Sequence, residues 1–387
     1  MRNYRDMKRY PREHLLMSTD SDNGGIYLRK RLIISFFILI LLICGCGHDD
    51  DQGQDQVDVH IIKDPVSETV KSGTSSGREK MNDVNSKSIG AWITYWDLDT
   101  AYDELELLGE DLDTLCYFAA YFDNDSEPFI PEGTLGTMDK LKQDGSFGKT
   151  VNYLTFVNDK LLNQGSSLKD TELLYDLIGN EKKAKKHAEQ ITDMTVSSGF
   201  DGIEIDYEAI KKDYELWEHF RDFVNILVPM AHEKGLSVRI LFEPGAPIEK
   251  YEWPSDVEYV MMCYNLYGYG TKPGPKADKE FLKEMVTKME TLPGTVNFAL
   301  ATGGFDFTSD GSVMQIDTRT AKAVAMRYEA KERIDEASGD HVYEYTDEDG
   351  LSHEVWYADQ DTLRLWIQTI KDEGHERITI WRIGGNI

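Results

Sequence analysis

Beyond residue 88 the chain alternates between short apolar runs rich in β-branched and aromatic residues and longer segments whose apolar positions recur every three or four residues. The short runs, Gly90–Trp96, Leu112–Phe122, Thr150–Asn158, Gly202–Glu208, Ser237–Glu243, Glu258–Asn265, Val296–Phe307 and Ile378–Gly384, predict eight strands. Between them, Ala184, Ala188, Ile191 and Met194 share one helical face, and Leu216, Phe220, Phe223, Val224, Leu227 and Ala231 share another. Gly235 follows the second of these as a helix stop. Repeated strand–helix alternation implies parallel strands joined by helical crossovers. Eight such units in about 300 residues suit a closed (β/α)8 TIM barrel of the α/β class better than an open sheet. The stretch from Ser309 to Tyr357 exceeds what a crossover needs and holds a polar, hairpin-like piece around Tyr343–His353. It predicts a small insertion before the last helix and strand.

The N-terminal part follows a different pattern. Arg29, Lys30 and Arg31 precede an apolar run, Leu32–Ile43, and a small residue, Gly45, precedes Cys46. Basic flank, apolar stretch and small residue are the layout of a secretion signal. At roughly 12 residues the run is short of the ~20 a membrane-spanning helix needs. Ile43-Cys44-Gly45-Cys46 resembles a bacterial lipobox, which implies cleavage before Cys46, lipidation of its thiol and a membrane partner through the lipid. An uncleaved signal anchor is the other reading. Either one predicts an extracytoplasmic location for the rest of the chain. Residues 46–88 are rich in Asp, Gln, Ser, Gly and Lys, lack aromatic residues and read as a flexible tether. The expected division is therefore a signal peptide over 1–45, a linker over 46–88 and a barrel over 89–387.

Charge narrows the partners. The 387 residues carry 42 Lys+Arg against 70 Asp+Glu, a net of -28. Nucleic acid is thereby excluded as an expected partner, since binding a phosphate backbone needs a basic face. Of the four cysteines, only Cys116 and Cys263 lie beyond the signal, each inside an apolar run, so two buried thiols are expected rather than a disulfide framework. The nine histidines show no His-Glu-x-x-His or comparable ligand spacing, and no metal or cofactor is expected.

The segment richest in chemistry is Asp201-Gly202-Ile203-Glu204-Ile205-Asp206-Tyr207-Glu208. Side chains alternate along a strand, so Glu204, Asp206 and Glu208 share one face, and Ile203, Ile205 and Tyr207 the other. With the apolar face toward the helices, the carboxylates line the barrel interior and rise toward its C-terminal rim. Like charges stacked there raise at least one pKa, which suits a general acid. Alone the pattern is weak: with 70 acids in 387 residues, such a triplet arises by chance roughly twice in a chain this long. Interleaved β-branched residues and the introducing Gly199-Phe200-Asp201-Gly202 turn set this one apart.

These residues resemble the glycoside hydrolase family 18 signature D-G-x-D-x-D-x-E, with Asp201, Gly202, Asp206 and Glu208 matching and Glu204 standing where the family has Asp. Met262-Cys263-Tyr264-Asn265 is similar to that family's sixth-strand motif, and Ile380-Trp381-Arg382-Ile383-Gly384 to its closing Trp. Val151–Thr155, Asn158-Asp159, Gly303–Phe307 and Val355–Tyr357 resemble the bacterial branch that includes spore-cortex-lytic enzymes.

The resemblance implies a glycosidase of chitinase or β-N-acetylglucosaminidase type, acting on an N-acetylglucosamine-containing polysaccharide by substrate-assisted retention. It makes Glu208 the acid/base, Asp206 the group that orients the acetamido, Glu204 the residue that holds Asp206 protonated or hydrogen-bonded, and Tyr264 a donor to the acetamido oxygen. Asn265, Met262 and Trp381 would contact the sugar, Trp381 as the pocket floor. Tyr95, Glu243 and Asp306, at strand ends on the same rim, are further candidate sugar contacts. Chitin, peptidoglycan and the chitobiose core of N-glycans all satisfy the acetamido requirement. A non-catalytic lipoprotein that binds amino-sugar oligomers on the same barrel, and a two-lobed solute-binding lipoprotein, remain as rivals.

Overall fold

The computed structural model describes residues 88–384, apart from 99–100, 103, 106–111 and 146–148. The signal peptide, Cys46 and the tether lie outside the described residues.

Eight parallel strands form the barrel: β1 (Ser88–Thr94), β2 (Leu112–Phe122), β3 (Val151–Leu161), β4 (Gly202–Asp206), β5 (Ser237–Phe242), β6 (Glu258–Met262), β7 (Thr295–Ala301) and β8 (Arg377–Trp381). Each pairs with the next in chain order, and β8 pairs in parallel with β1, so the sheet closes on itself. The sequence after β8 tightens this closure. The Ile383 N–H donates to the Trp92 carbonyl at 3.0 Å, Arg382 pairs with Asp97, and the Gly384 N–H donates to Glu104 at 2.9 Å.

The helices are α1 (Glu132–Asp144), α2 (Thr171–Ile178), α3 (Glu181–Ser198), α4 (Tyr214–Glu233), α5 (Lys279–Met289), α6 (Thr318–Arg327) and α7 (Gln360–Asp372). From α2 onward every one starts on an Asx cap: Asp170, Asn180, Asp213, Asp278, Asp317 and Asp359 each accept a backbone N–H from the first turn. Part of the chain's acidity is therefore helix initiation. The link from β5 to β6 has a single 3-10 turn, Ile248–Lys250, in place of the helix that alternation predicts.

The main core lies between sheet and helices. Ile203, Ile205 and Tyr207 face it together with Leu216, Phe220 and Phe223 of α4 and Ile191 of α3. Gly202 is required by close approach, since a Cβ there would sit 2.4 Å from the Tyr153 ring and 2.9 Å from the Ser237 carbonyl.

The expected strand Val296–Phe307 is in fact two. β7 ends at Ala301, and Gly303–Thr308 belongs to a separate five-stranded antiparallel sheet with Val313–Ile316, Arg333–Ile334, His341–Thr346 and Ser352–Ala358. Gly303, at φ +67°, makes the break, and a Cβ on Gly304 would fall 1.7 Å from the Trp356 carbonyl oxygen. The insertion thus begins at Gly303 rather than Ser309, and the hairpin expected around Tyr343–His353 is its central pair. Within it, Ser338 and Gly339 lend their carbonyls to Trp366 and Thr362 of α7, beside the fully buried Asp340.

Candidate active site

Strand β4 places Glu204 and Asp206 in the barrel interior, both buried, and Glu208 just past its C-terminal end. The alternation read from sequence holds: the intervening apolar residues face the helices.

Glu204 sits deepest and is fully buried. Its Oε1 accepts from Trp92 Nε1 at 2.6 Å and Thr155 Oγ1 at 2.7 Å, and its Oε2 from Arg239 Nε at 2.8 Å and Cys116 Sγ at 3.2 Å. Arg239, also fully buried, continues to Glu258 at 2.5 Å and Thr379 at 3.0 Å, and Thr379 and Glu258 both meet Asn297. One polar layer thereby joins all eight strands. The extra methylene of Glu over Asp reaches an arginine salt bridge. The Glu204 oxygens are taken up by Trp92, Thr155, Arg239 and Cys116, and Glu204 acts on Asp206 through its charge, which adds to burial and Glu208 in raising that carboxyl.

Asp206 is left with an unpartnered buried Oδ1. Burial, and then the nearby Glu208 carboxylate, raise its carboxyl well above the usual range, with Lys169 pulling the other way. A buried carboxyl biased toward its protonated form, with one oxygen unpartnered, is suited to donate a hydrogen bond.

Glu208 is held by its backbone and its head. Asn158 of β3 clamps the main chain reciprocally, its Oδ1 accepting the Glu208 N–H at 2.9 Å and its Nδ2 donating to the Glu208 carbonyl at 3.1 Å. The carboxylate accepts from Lys169 Nζ at 2.6 Å. Lys169 has its own N–H on Asp159 Oδ1 at 2.7 Å, and burial pushes that aspartate up to about 6. Past Glu208, Ala209 takes a left-handed φ of +64°, and its N–H is caught by Glu243 Oε2 at 3.0 Å.

The rim residues divide. Met262 and Tyr264 are buried in an interior cluster with Trp92, Val260 and Ala301, against which Trp381 and Phe118 pack. Trp381 meets Phe118 edge-on at 4.9 Å and Trp92 at 5.8 Å; Trp96 and Tyr95 extend the same aromatic wall. Asn265 holds a left-handed φ of +60° just after Tyr264, a conformation Asn tolerates better than most residues. Glu243 is committed to the Ala209 amide and lies 3.9 Å from Lys211, which makes it a brace for the Glu208 turn. Asp306 lies on the insertion sheet, and both oxygens are engaged, by Tyr345 at 2.7 Å and His353 at 2.8 Å. It does not end a barrel strand, as its place in the run Val296–Phe307 predicts, because β7 stops at Ala301.

Sequence reasoning missed Lys169 and Arg239. Arg239 had a signal: a lone arginine in an apolar strand, in register with Leu241 and Glu243. Lys169 had none, since its place depends on the turn that carries it. Among the described residues no group of three or more His, Cys, Asp or Glu is placed to hold a metal ion, and no helix is long and apolar enough to cross a membrane.

No family model matches the chain. It is 24% identical over 264 residues to a cortical fragment-lytic enzyme of Bacillus cereus, covering 63% of this chain and 59% of the relative. The chain spans between 52% and 59% of the length of the curated relatives it matches. Among solved structures, the spore cortex-lytic enzyme SleL of Bacillus cereus superposes with a TM-score of 0.63 at 19% identity, covering 78% of this chain and 72% of that one. A chitinase from Chromobacterium violaceum superposes with a TM-score of 0.66 at 15% identity, covering 78% and 96%. The chain therefore has the (β/α)8 barrel fold of spore cortex-lytic enzymes and chitinases.

Proposed function

We propose that this chain is a glycosidase that hydrolyses β-linked N-acetylglucosamine-containing glycan by substrate-assisted retention. The observation that carries the reading is the row that β4 sets up: a cradled Glu204, a buried Asp206 with an unpartnered oxygen, and Glu208 just past the strand's C-terminal end. The relatives' names, cortical fragment-lytic enzyme and chitinase, support the same class.

In this reading Glu208, a carboxylate in the free protein, first takes up a proton from Asp206 and then protonates the glycosidic oxygen as the substrate's acetamido oxygen attacks the anomeric carbon, giving an oxazolinium ion and a free leaving alcohol. Asp206 orients the acetamido nitrogen and stabilises the cation. Glu208, now a carboxylate, takes a proton from the water that opens the ring. Tyr264 donates to the acetamido oxygen, Asn265 and Met262 line the sugar site, and Trp381 offers a flat face to the pyranose. Glu204 serves by fixing β4 rather than by passing a proton. Tyr95 extends the aromatic wall to a neighbouring sugar. Cys46 is the proposed lipidation site, placing the barrel outside the cell membrane on a tether; Cys46→Ser is expected to release the protein from the membrane fraction.

The test is hydrolysis of a 4-methylumbelliferyl chitobioside and of purified peptidoglycan by the wild type and by Glu208→Gln. Release that vanishes in the variant supports the reading. Binding of the oligomers without release by the wild type makes the chain a glycan-binding protein instead.

A further inference from the structure

Glu208 has a companion that the proposed reaction does not use. Lys169 Nζ lies 2.6 Å from Glu208 Oε2, with the two side chains 18% and 11% exposed. An ammonium on that oxygen competes with the glycosidic oxygen for the same end of the carboxyl. We propose that Lys169 is a specificity-determining residue which rests on Glu208 in the free protein and moves to a carboxylate on the substrate, on the sugar just beyond the cleaved bond. The proposal rests on the reading of Glu208 as the acid.

The surrounding backbone is built to present this side chain. Ser166–Ser167 pairs with the end of β3, Lys169 takes a left-handed φ of +51° with its N–H on Asp159, and the Asp170 N–H donates to the Asn158 carbonyl at 2.8 Å. Asp170 then caps α2, and Asn158 is the residue that clamps Glu208. The base of Lys169 is thus fixed to the same support as the acid, while its flexible four-carbon stem lets the head swing.

Charge gives the direction of the swing. Beside the Glu208 turn the positive side chains described above are Lys169, on Glu208, and Lys211, by Glu243, so a substrate carboxylate arriving there meets Lys169 as its partner. A neutral glycan gives Lys169 nothing better than Glu208. An acidic one does. In a β(1→4)-linked amino-sugar polymer the leaving oxygen is O4, and the substituent on O3 sits on the adjacent ring carbon. A 3-O-lactyl carboxylate, as on N-acetylmuramic acid, therefore arrives beside the group that protonates O4. Lys169 pairs with it and keeps its own three protons, and the vacated Glu208 Oε2 takes up the proton from Asp206 that it then passes to O4. The favoured bond is the one from N-acetylglucosamine to a lactyl-bearing sugar.

The experiment compares kcat and KM on a tetrasaccharide alternating N-acetylglucosamine with N-acetylmuramic acid against the N-acetylglucosamine tetramer, for wild type, Lys169→Met and Lys169→Arg. The wild type is expected to favour the acidic substrate in kcat/KM by about tenfold or more, worth about 1.4 kcal/mol. Lys169→Met should erase that preference, raising KM for the acidic substrate while turnover of the neutral one increases. Lys169→Arg should keep the preference. A wild-type ratio near one, or a Lys169→Met variant that slows both substrates alike, overturns the assignment and leaves the glycosidase reading standing. Release from neither substrate by the wild type overturns both.

Discussion

Replacing Arg239 by Met tests how much of the barrel depends on its interior charge layer. The guanidinium is fully buried and bonds Glu204, Glu258 and Thr379. Its loss does not fall evenly: Glu258 keeps Asn297 and Arg377, whereas Glu204 keeps the neutral donors Trp92, Thr155 and Cys116. The uncompensated charge is therefore that of Glu204, at full burial. Breaking a buried ion pair from one side costs about 3–5 kcal/mol. At about 2–4 °C per kcal/mol for domains slightly smaller than this one, the melting temperature should fall by about 10 °C. Adding Glu204→Gln to Arg239→Met removes the stranded charge and should recover about 2 kcal/mol or more, as an interaction energy in a double-mutant cycle. Calorimetric or urea melts of the four proteins measure both quantities. A cost under about 1 kcal/mol for Arg239→Met, or strictly additive single effects, would refute the claim that Glu204 is held as a charge by Arg239.

Other outcomes rest on the same structure. Asp206→Asn and Tyr264→Phe should each cut kcat on a chitobioside by about a hundredfold or more while the melting temperature stays within a few degrees, since neither is in the Glu204 cradle. Cys116 and Cys263 are fully buried, and burial raises both thiols well above their ordinary value. They should resist a thiol reagent in the folded protein and react on unfolding. Burial lifts Asp340 from 3.8 to about 8, with Lys276 opposing. Across that interval the folded form keeps a proton that the unfolded chain has lost, so this group draws stability down as pH rises from about 4 to about 8. Asp340→Asn should therefore raise the melting temperature by several degrees at pH 8 and leave it unchanged at pH 4.

Strand alternation, which needs only neighbouring residues, was legible wherever β-branched runs were bounded by polar turns. The eight barrel strands lie within or close to the predicted runs, and β4 faces inward as its period of two requires. The strand that failed, Val296–Phe307, came from a continuous apolar run whose break depends on the φ of Gly303, a backbone angle that composition does not disclose. Asp306 was misplaced with it: the residue looked like a rim acid and is a partner of Tyr345 and His353. The carboxylates could be placed from sequence because they share one strand. Their partners could not, because Arg239 and Trp92 reach Glu204 from 35 and 112 residues away. Lys169 arrives by way of a short hairpin and a left-handed turn.

The closure of β8 on β1 also sets an order in time. Trp381, which packs on Trp92, and the Ile383 N–H, which bonds the Trp92 carbonyl, lie hundreds of residues beyond the strand they complete. Contacts so distant in sequence form late, after most of the chain has lost its freedom. A growing polypeptide can hold β4 and its carboxylates before it has the strand that closes the barrel between β7 and β1. Site and closure mature together, when β8 joins β1.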